Sequence, residues 1–153
     1  MKGSKVVVAL NETLLQESRV PAVVADVQTL IDAEVSDKSG ASGLVLKGGY
    51  GAVKKVKASI VPDAVTALLP AFVAKLEPYW QEFSASGDAS FAEFITARGD
   101  AVADSLLEVT DERIDGSDKA VIKSTYSKLR GSAKKHVTAA LPRLGDLIQK
   151  HAA

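Results

Sequence analysis

The chain has 153 residues, of which 46% are hydrophobic, so it is long enough for one domain whose core needs no disulfide or metal. The absence of cysteine excludes thiolate catalysis, zinc fingers and disulfide bonds, and only two histidines are present, His136 and His151. Nineteen basic and nineteen acidic residues give no net charge, which argues against a nucleic acid as partner.

The first 13 residues are predicted to form an N-terminal arm, packed or helical, that continues to about Gln16. Three successive valines, residues 6–8, favour a strand, but no second strand is predicted with which it could pair. The apolar run VVVAL is too short for a signal peptide, and no run approaches the roughly 20 residues that span a bilayer. We therefore expect a soluble cytoplasmic protein.

Residues 21–37 are predicted to form a helix. Pro21 suits the first helical position, and Val24, Val27 and Leu30 recur at helical spacing. The sequence DKSGASG, which follows, ends the helix.

The stretch GGYGAVKKVK could be a phosphate-binding loop or a helix. Sliding the sequence by 76 residues aligns residues 30–54 with residues 106–130, with five identities, and indicates a possible internal repeat. In the second copy the tyrosine and the basic groups persist as STYSKLRGSAKK, while the glycines are replaced. Both copies place apolar residues on one helical face, namely Leu46, Tyr50, Val53 and Ile60, and Ile122, Tyr126, Leu129, Ala133 and Val137. A helix is therefore predicted, whose glycines allow a neighbouring helix to approach closely or leave the segment loose.

The next helix is predicted to begin at Pro62 and to be kinked or divided by Pro70 and Pro78. Its aromatic residues have the spacing of a core face, but they could instead line a groove for a partner helix or a lipid-like ligand. The candidate ligand-binding residues are Phe72, Tyr79, Trp80 and Phe83. The segment SASGDAS is predicted to be a loop, and Ser90 or Asp88 can cap the helix that begins near Phe91.

An acidic ridge follows, made of Asp100, Asp104, Glu108, Asp111 and Asp115. Residues 77–117 have a net charge of −8 and residues 118–153 a net charge of +6. If the chain reverses at Gly116, the two charged helices lie side by side. The predicted pairs are Asp111 with Lys119, Glu108 with Lys123, Asp104 with Lys128 and Asp100 with Arg130, and in the first half Asp32 with Lys47 and Asp26 with Lys54.

Two basic strips could bind phosphates if their partners do not neutralise them. The candidate anion-binding residues are Lys54, Lys55, Lys57, Lys128, Arg130, Lys134 and Lys135. His136 follows two lysines that should lower its pKa, and we expect a surface histidine there. No metal site and no cofactor are predicted, and the motifs HExxH, GxSxG, GxxxxGK[ST] and a strand followed by GxGxxG are all absent.

Four stretches, DAEVSDKSG, GYGAVKKVK, ARGDAVADSLL and KKHVTAALPRLGDLI, together resemble an uncharacterised family of small actinobacterial proteins. The likeness covers nearly the whole chain from about Leu14 onward. The resemblance implies a compact helical domain and carries over no functional residue.

These observations predict a single all-α domain, residues 1–153, built as a compact bundle of about six helices that could form two similar halves. The leading functional prediction is a non-enzymatic interaction or regulatory protein, with an unknown protein partner or a second copy. The alternatives are a carrier of a small apolar or amphipathic ligand and, less favoured, a polyanion-binding protein. An enzyme has the least support, and its site would lie near Tyr50 and Tyr126.

Overall fold

The structure, a computed structural model, describes residues 9–38, 40–57 and 59–152, apart from the side chains of residues 41–42. Within these ranges the chain forms seven helices and no strand. They are α1 (Leu10–Thr13), α2 (Val20–Asp37), α3 (Gly40–Val56), α4 (Ile60–Ser86), α5 (Phe91–Thr96), α6 (Gly99–Asp115) and α7 (Ala120–Ala152). The all-α prediction is confirmed. The described residues form seven helices where about six were predicted, and two of the seven, α1 and α5, are short.

The glycine-containing stretch is helical, as predicted. Gly40, the first residue of α3, has a φ of +74°, a left-handed conformation that favours glycine. Gly49 lies against α7, since a Cβ there would come within 2.9 Å of Thr125 Cγ2 and 3.1 Å of Leu129 Cδ1. The predicted close approach is therefore confirmed at Gly49, whereas nothing lies within 4 Å of a Cβ built at Gly48 or Gly51.

Helix α4 runs without a break through Pro70 and Pro78, so the predicted division into short pieces is wrong. Both prolines lie on the exposed face of the helix. The carbonyl groups that lose an N–H partner there can accept hydrogen bonds from water, which reduces the cost of a proline inside the helix. Burial of the opposite face keeps the helix continuous.

The core lies where α1, α2, α4, α5, α6 and α7 meet. Its fully buried members include Leu10, Leu14, Phe91, Ile95 and Leu141. Of the predicted N-terminal arm, residues 1–8 lie outside the described residues, and Leu10–Thr13 form α1. The backbone N–H of Leu10 donates to Oε1 of Glu77 at 2.7 Å, which fixes α1 to α4.

Helices α6 and α7 form the predicted hairpin of opposite charge, but the predicted register is wrong. Arg130 binds Asp111 through Nε at 2.8 Å, and Lys134 lies 3.3 Å from Asp104 and 3.8 Å from Asp100. Each aspartate thus finds its partner farther along α7 than predicted, because residues 116–119 separate the helices. Glu108 pairs instead with Lys75 of α4, at 2.7 Å.

The two pairs predicted between α2 and α3 are also wrong. Asp32 accepts a hydrogen bond from Tyr50, and Asp26 faces α7, where its Oδ2 lies 2.9 Å from Lys150 Nζ and 2.6 Å from His151 Nε2. Arg19 donates to the carbonyl oxygen of His151 at 2.5 Å. These contacts hold the C-terminal turn of α7 against the start of α2.

The Asp26 contacts predict a dependence of stability on pH. Hydrogen bonds from Lys150 and then from His151 hold the pKa of Asp26 below its usual value. A lowered carboxyl pKa stabilises the fold above the unfolded value near 4, and the contribution is lost as the pH falls through the folded value. Because the carboxylate is one-third exposed, Asp26→Asn is expected to cost only about 1 kcal/mol at pH 7.

Urea titrations of the Asp26→Asn variant from neutral to acid pH measure this effect. The variant should lose less stability than the wild type on acidification. Asp88→Asn is the control, since Asp88 is an exposed loop carboxylate whose side chain has no described partner. If Asp26→Asn and the wild type lose the same unfolding free energy on acidification, the prediction is contradicted.

Candidate functional site

A cavity of about 520 Å³ lies between α2, α3, α4, α6 and α7. Its walls are mainly apolar, and every one of these helices contributes to them: Ile31, Val53, Ile60, Val61, Ala64, Val65, Leu68, Phe72, Ile114, Ile122 and Leu129. Exposed charged residues stand where the cavity opens to solvent, namely Lys57, Asp63, Arg113 and Lys119. The volume is within the range of about 300–1,000 Å³ that is usual for small-molecule sites.

Most of the apolar residues that line the cavity are only partly buried. Ile31, Leu68 and Ile122 are typical, in contrast to Phe91 and Leu141 in the core, which are fully buried. Protein interiors normally fill such space with side chains at close to crystal density. The cavity wall therefore presents apolar surface that a ligand can cover.

The packing of α3 on α7 sets one side of the cavity. Leu129, which lies against Gly49, also lines the cavity. Val53, one turn beyond Gly49 on α3, lines it from the opposite helix. A side chain at position 49 would push α3 away from α7. Glycine at this position thus brings the apolar walls of the two helices together.

Tyr126 lines the cavity, but its hydroxyl group is engaged elsewhere. The hydroxyl donates to Oδ1 of Asp111 at 2.5 Å and lies 2.8 Å from Oγ1 of Thr110. Arg130 binds both oxygens of the same carboxylate, at 2.8 and 3.0 Å. A second hollow of about 610 Å³, more open than the cavity, lies beside Asp111 and Arg130, and Tyr126 lines it as well.

The protonation states of this group follow from the contacts. Burial, and then the hydrogen bond to Asp111, raise the pKa of Tyr126 to about 12. Arg130, and then Tyr126, lower the pKa of Asp111. At neutral pH the phenol is therefore a neutral donor and the carboxylate is ionised, so Tyr126 is not a base.

Tyr50 occupies an analogous position in the α2–α3 hairpin. Its hydroxyl donates to Oδ1 of Asp32 at 2.5 Å and accepts from Nε2 of Gln28 at 2.7 Å. Burial, and then Asp32, raise the pKa of Tyr50 to about 12. Each tyrosine is thus bonded to an aspartate of its own hairpin, and Tyr126 lines the cavity while Tyr50 does not. The internal repeat itself stays a prediction.

The structure separates the four aromatic residues that the sequence proposes as a ligand site. Phe72 lines the cavity. Trp80 and Phe83, 5.3 Å apart between ring centroids, pack with Phe91 and Phe94 in an aromatic cluster. Tyr79 is partly buried against the core. The helix carries Phe72 and Phe83 about 16 Å apart along its axis, which is too far for one small groove.

Several of the proposed anion-binding residues have partners within the molecule. Arg130 and Lys134 bind aspartates of α6, as described above, and Lys57 lies 3.0 Å from Asp63. Lys54 lies over the ring of Tyr50, 4.8 Å from its centroid. Lys55, Lys128 and Lys135 are exposed and have no carboxylate partner in the described ranges.

His136 is partly buried, and its pKa is lowered mainly by burial and then by Lys38 and Lys135. Neighbouring lysines thus lower the pKa of His136 as predicted, but burial lowers it more. Within the described ranges, no three histidine, aspartate or glutamate side chains are arranged to hold a metal ion.

No single helix among the described residues is long and apolar enough to cross a membrane. One pair of segments, Gly43–Val56 and Ile60–Ser86, is long and apolar enough only when the two are counted together, and the chain bends by 96° between them.

Comparison with known proteins gives a family without an assigned activity. The model of a family of unknown function matches residues 10–152, which is nearly the whole chain. The resemblance to an uncharacterised family is thereby confirmed. No curated protein and no solved structure matches the chain.

Proposed function

The chain belongs to the family of unknown function DUF6918, and we propose that it binds and carries a small apolar or amphipathic molecule in the cavity. The observation that supports this proposal is the cavity of about 520 Å³ with its partly buried apolar walls. A ligand that covers about 200 Å² of such wall also buries about 200 Å² of its own surface, and this total of about 400 Å² gains about 10 kcal/mol from apolar burial. At least about 4 kcal/mol of that gain is lost with the free motion of the ligand. We therefore expect affinities in the micromolar range.

The polar groups near the cavity support binding more than chemistry. The hydroxyl of Tyr126 is bonded to Asp111, and the carboxylate of Asp111 is held by Arg130 on the side away from the apolar walls. Thr110 and Thr125 add hydroxyl groups to the lining, and none of the described residues that line it is a histidine. A molecule in the cavity would thus meet hydroxyl groups that can orient it.

A neutral fluorescent probe, N-phenylnaphthylamine, tests the proposal. Its emission rises when it leaves water, so titration gives an affinity and a stoichiometry. Ala64 lines the cavity from α4, and Ala64→Phe places a ring in the space that the probe needs. We expect one saturable site in the wild type and an affinity at least tenfold lower in Ala64→Phe.

Ala67→Phe is the matched control, because Ala67 lies on the same helix but is exposed and does not line the cavity. The control should bind the probe within twofold of the wild type. Thermal unfolding shows whether Ala64→Phe remains folded, and filling an apolar void should keep its stability close to that of the wild type. Equal probe affinities in all three proteins would overturn the proposal.

The other predicted functions have weaker support. Four exposed apolar residues, Leu44 (73% exposed), Val45, Val56 and Val121, favour a protein interaction, but they indicate no particular partner. The pairing of Arg130, Lys134 and Lys57 with carboxylates reduces the charge available to a polyanion. Both functions stay predictions.

A further inference from the structure

The opening of the cavity has an excess of positive charge. Lys57 is neutralised by Asp63 at 3.0 Å. Arg113 and Lys119 also line the cavity and are exposed, and neither has a carboxylate partner within the described ranges. Two cations are therefore available to a molecule that enters.

The turn between α6 and α7 supplies a third polar group. Ser117 lines the cavity, and its hydroxyl oxygen accepts a hydrogen bond from the backbone N–H of Lys119 at 3.2 Å. The hydroxyl hydrogen can still be donated. Arg113, Ser117 and Lys119 thus place a guanidinium, a hydroxyl and an ammonium group along one rim of the cavity, which we call the cationic rim.

Acidic residues of the same turn do not cancel this charge. Asp115 lines the more open hollow beside Asp111 and not the cavity. Glu112 lies towards α4, where it adds to the larger effect of Glu108 in raising the pKa of Lys75. Asp118 is exposed and does not line the cavity.

We propose that the ligand is a single-chain amphiphile with an anionic head group, whose chain lies against the apolar walls and whose head group binds the cationic rim. This inference rests on the proposed function, because it needs the chain to enter the cavity. Guanidinium groups bind carboxylates and phosphates through paired, charge-assisted hydrogen bonds, and an ammonium group adds a second positive charge. A cationic head group would meet Arg113 and Lys119 unfavourably.

Three ten-carbon amphiphiles test the head group: decanoate, decanol and decyltrimethylammonium. The two ions are used below their micellar concentrations, and decanol is used below its solubility limit. Isothermal titration calorimetry with the full chain measures the affinities. We expect decanoate to bind about tenfold more tightly than decanol, and decyltrimethylammonium to bind most weakly. Added salt should weaken decanoate binding and leave decanol binding unchanged.

Two surface variants assign the effect to the cationic rim. Arg113→Gln and Lys119→Gln should each lower the affinity for decanoate about fivefold more than they lower the affinity for decanol. Lys128→Gln is the matched control, since Lys128 is exposed on α7 and does not line the cavity. Circular dichroism checks that the variants are folded.

The outcomes separate this inference from the proposed function. Equal affinities for decanoate and decanol, both reduced by Ala64→Phe, would overturn the inference and leave the apolar site in place. A loss in Arg113→Gln that is the same for decanoate and decanol would also overturn it. If neither the three amphiphiles nor N-phenylnaphthylamine binds, both proposals fail.

Discussion

Replacing Gly145 with alanine is expected to lower the free energy of unfolding by about 3 kcal/mol or more. A Cβ at this position would lie 2.3 Å from the Cα of Ala92 and 2.6 Å from its backbone nitrogen. Both atoms belong to the backbone of α5, so no side-chain rotation can relieve the overlap. Either α5 or α7 must move.

The start of α5 has little freedom to move. The side chain of Gln149, one turn beyond Gly145 on α7, accepts a hydrogen bond from the N–H of Phe91 at 2.9 Å and donates to the carbonyl of Ala89 at 3.0 Å. Phe91 itself is fully buried. Separation of the two helices would therefore break these hydrogen bonds and open the aromatic cluster.

Gly131→Ala is the matched control for Gly145→Ala, because it makes the same change in the same helix. Nothing lies within 4 Å of a Cβ at Gly131, so this variant should gain up to about 1 kcal/mol from the better helix propensity of alanine. Urea unfolding and the melting temperature measure both effects, and Gly145→Ala should melt about 10 °C lower. A Gly145→Ala variant as stable as Gly131→Ala would show that the helices are not in close contact there.

Local pattern was enough to predict the helices but not their contacts. The apolar spacing in residues 21–37 and 46–53 predicted α2 and α3, because amphipathic periodicity is a property of each segment alone. Ile60, which was assigned to the same face as Leu46 and Val53, begins α4 instead, so that part of the prediction is wrong. The residues of α7 that pair with Asp111 and Asp104 were predicted in the wrong register. Register depends on the length of the turn and on how the helices pack, and neither is encoded in the spacing of charges along one helix.

The site was predicted only in part, for a related reason. Phe72 was proposed as a ligand contact, and Val53 and Leu129 were recognised as inward-facing residues without a role. A cavity arises where the side chains of several helices fail to fill the space between them. Its position therefore depends on the three-dimensional packing, and no single segment signals it. The nearest signal in the sequence is Gly49, which holds α3 close to α7.

Two phenylalanines of α4 distinguish the core from the proposed site. Phe83→Ala is expected to cost about 3–5 kcal/mol of unfolding free energy, because the ring is 6% exposed and packs on Trp80, Phe91 and Phe94. Phe72 is only partly buried and lines the cavity, so Phe72→Ala should cost less. Urea unfolding of the two variants measures the difference.

Ligand affinity should respond in the opposite order. Phe72→Ala removes part of the apolar wall and should weaken N-phenylnaphthylamine binding severalfold, while Phe83 does not line the cavity. Phe83→Leu, which keeps most of the side-chain volume and a larger folded population than Phe83→Ala, should bind the probe as the wild type does. Weaker binding in Phe83→Leu than in Phe72→Ala would show that the ligand binds at the aromatic cluster and not in the cavity. Only a ligand that contacts Phe83 would lose more affinity from that substitution than from one in the cavity wall.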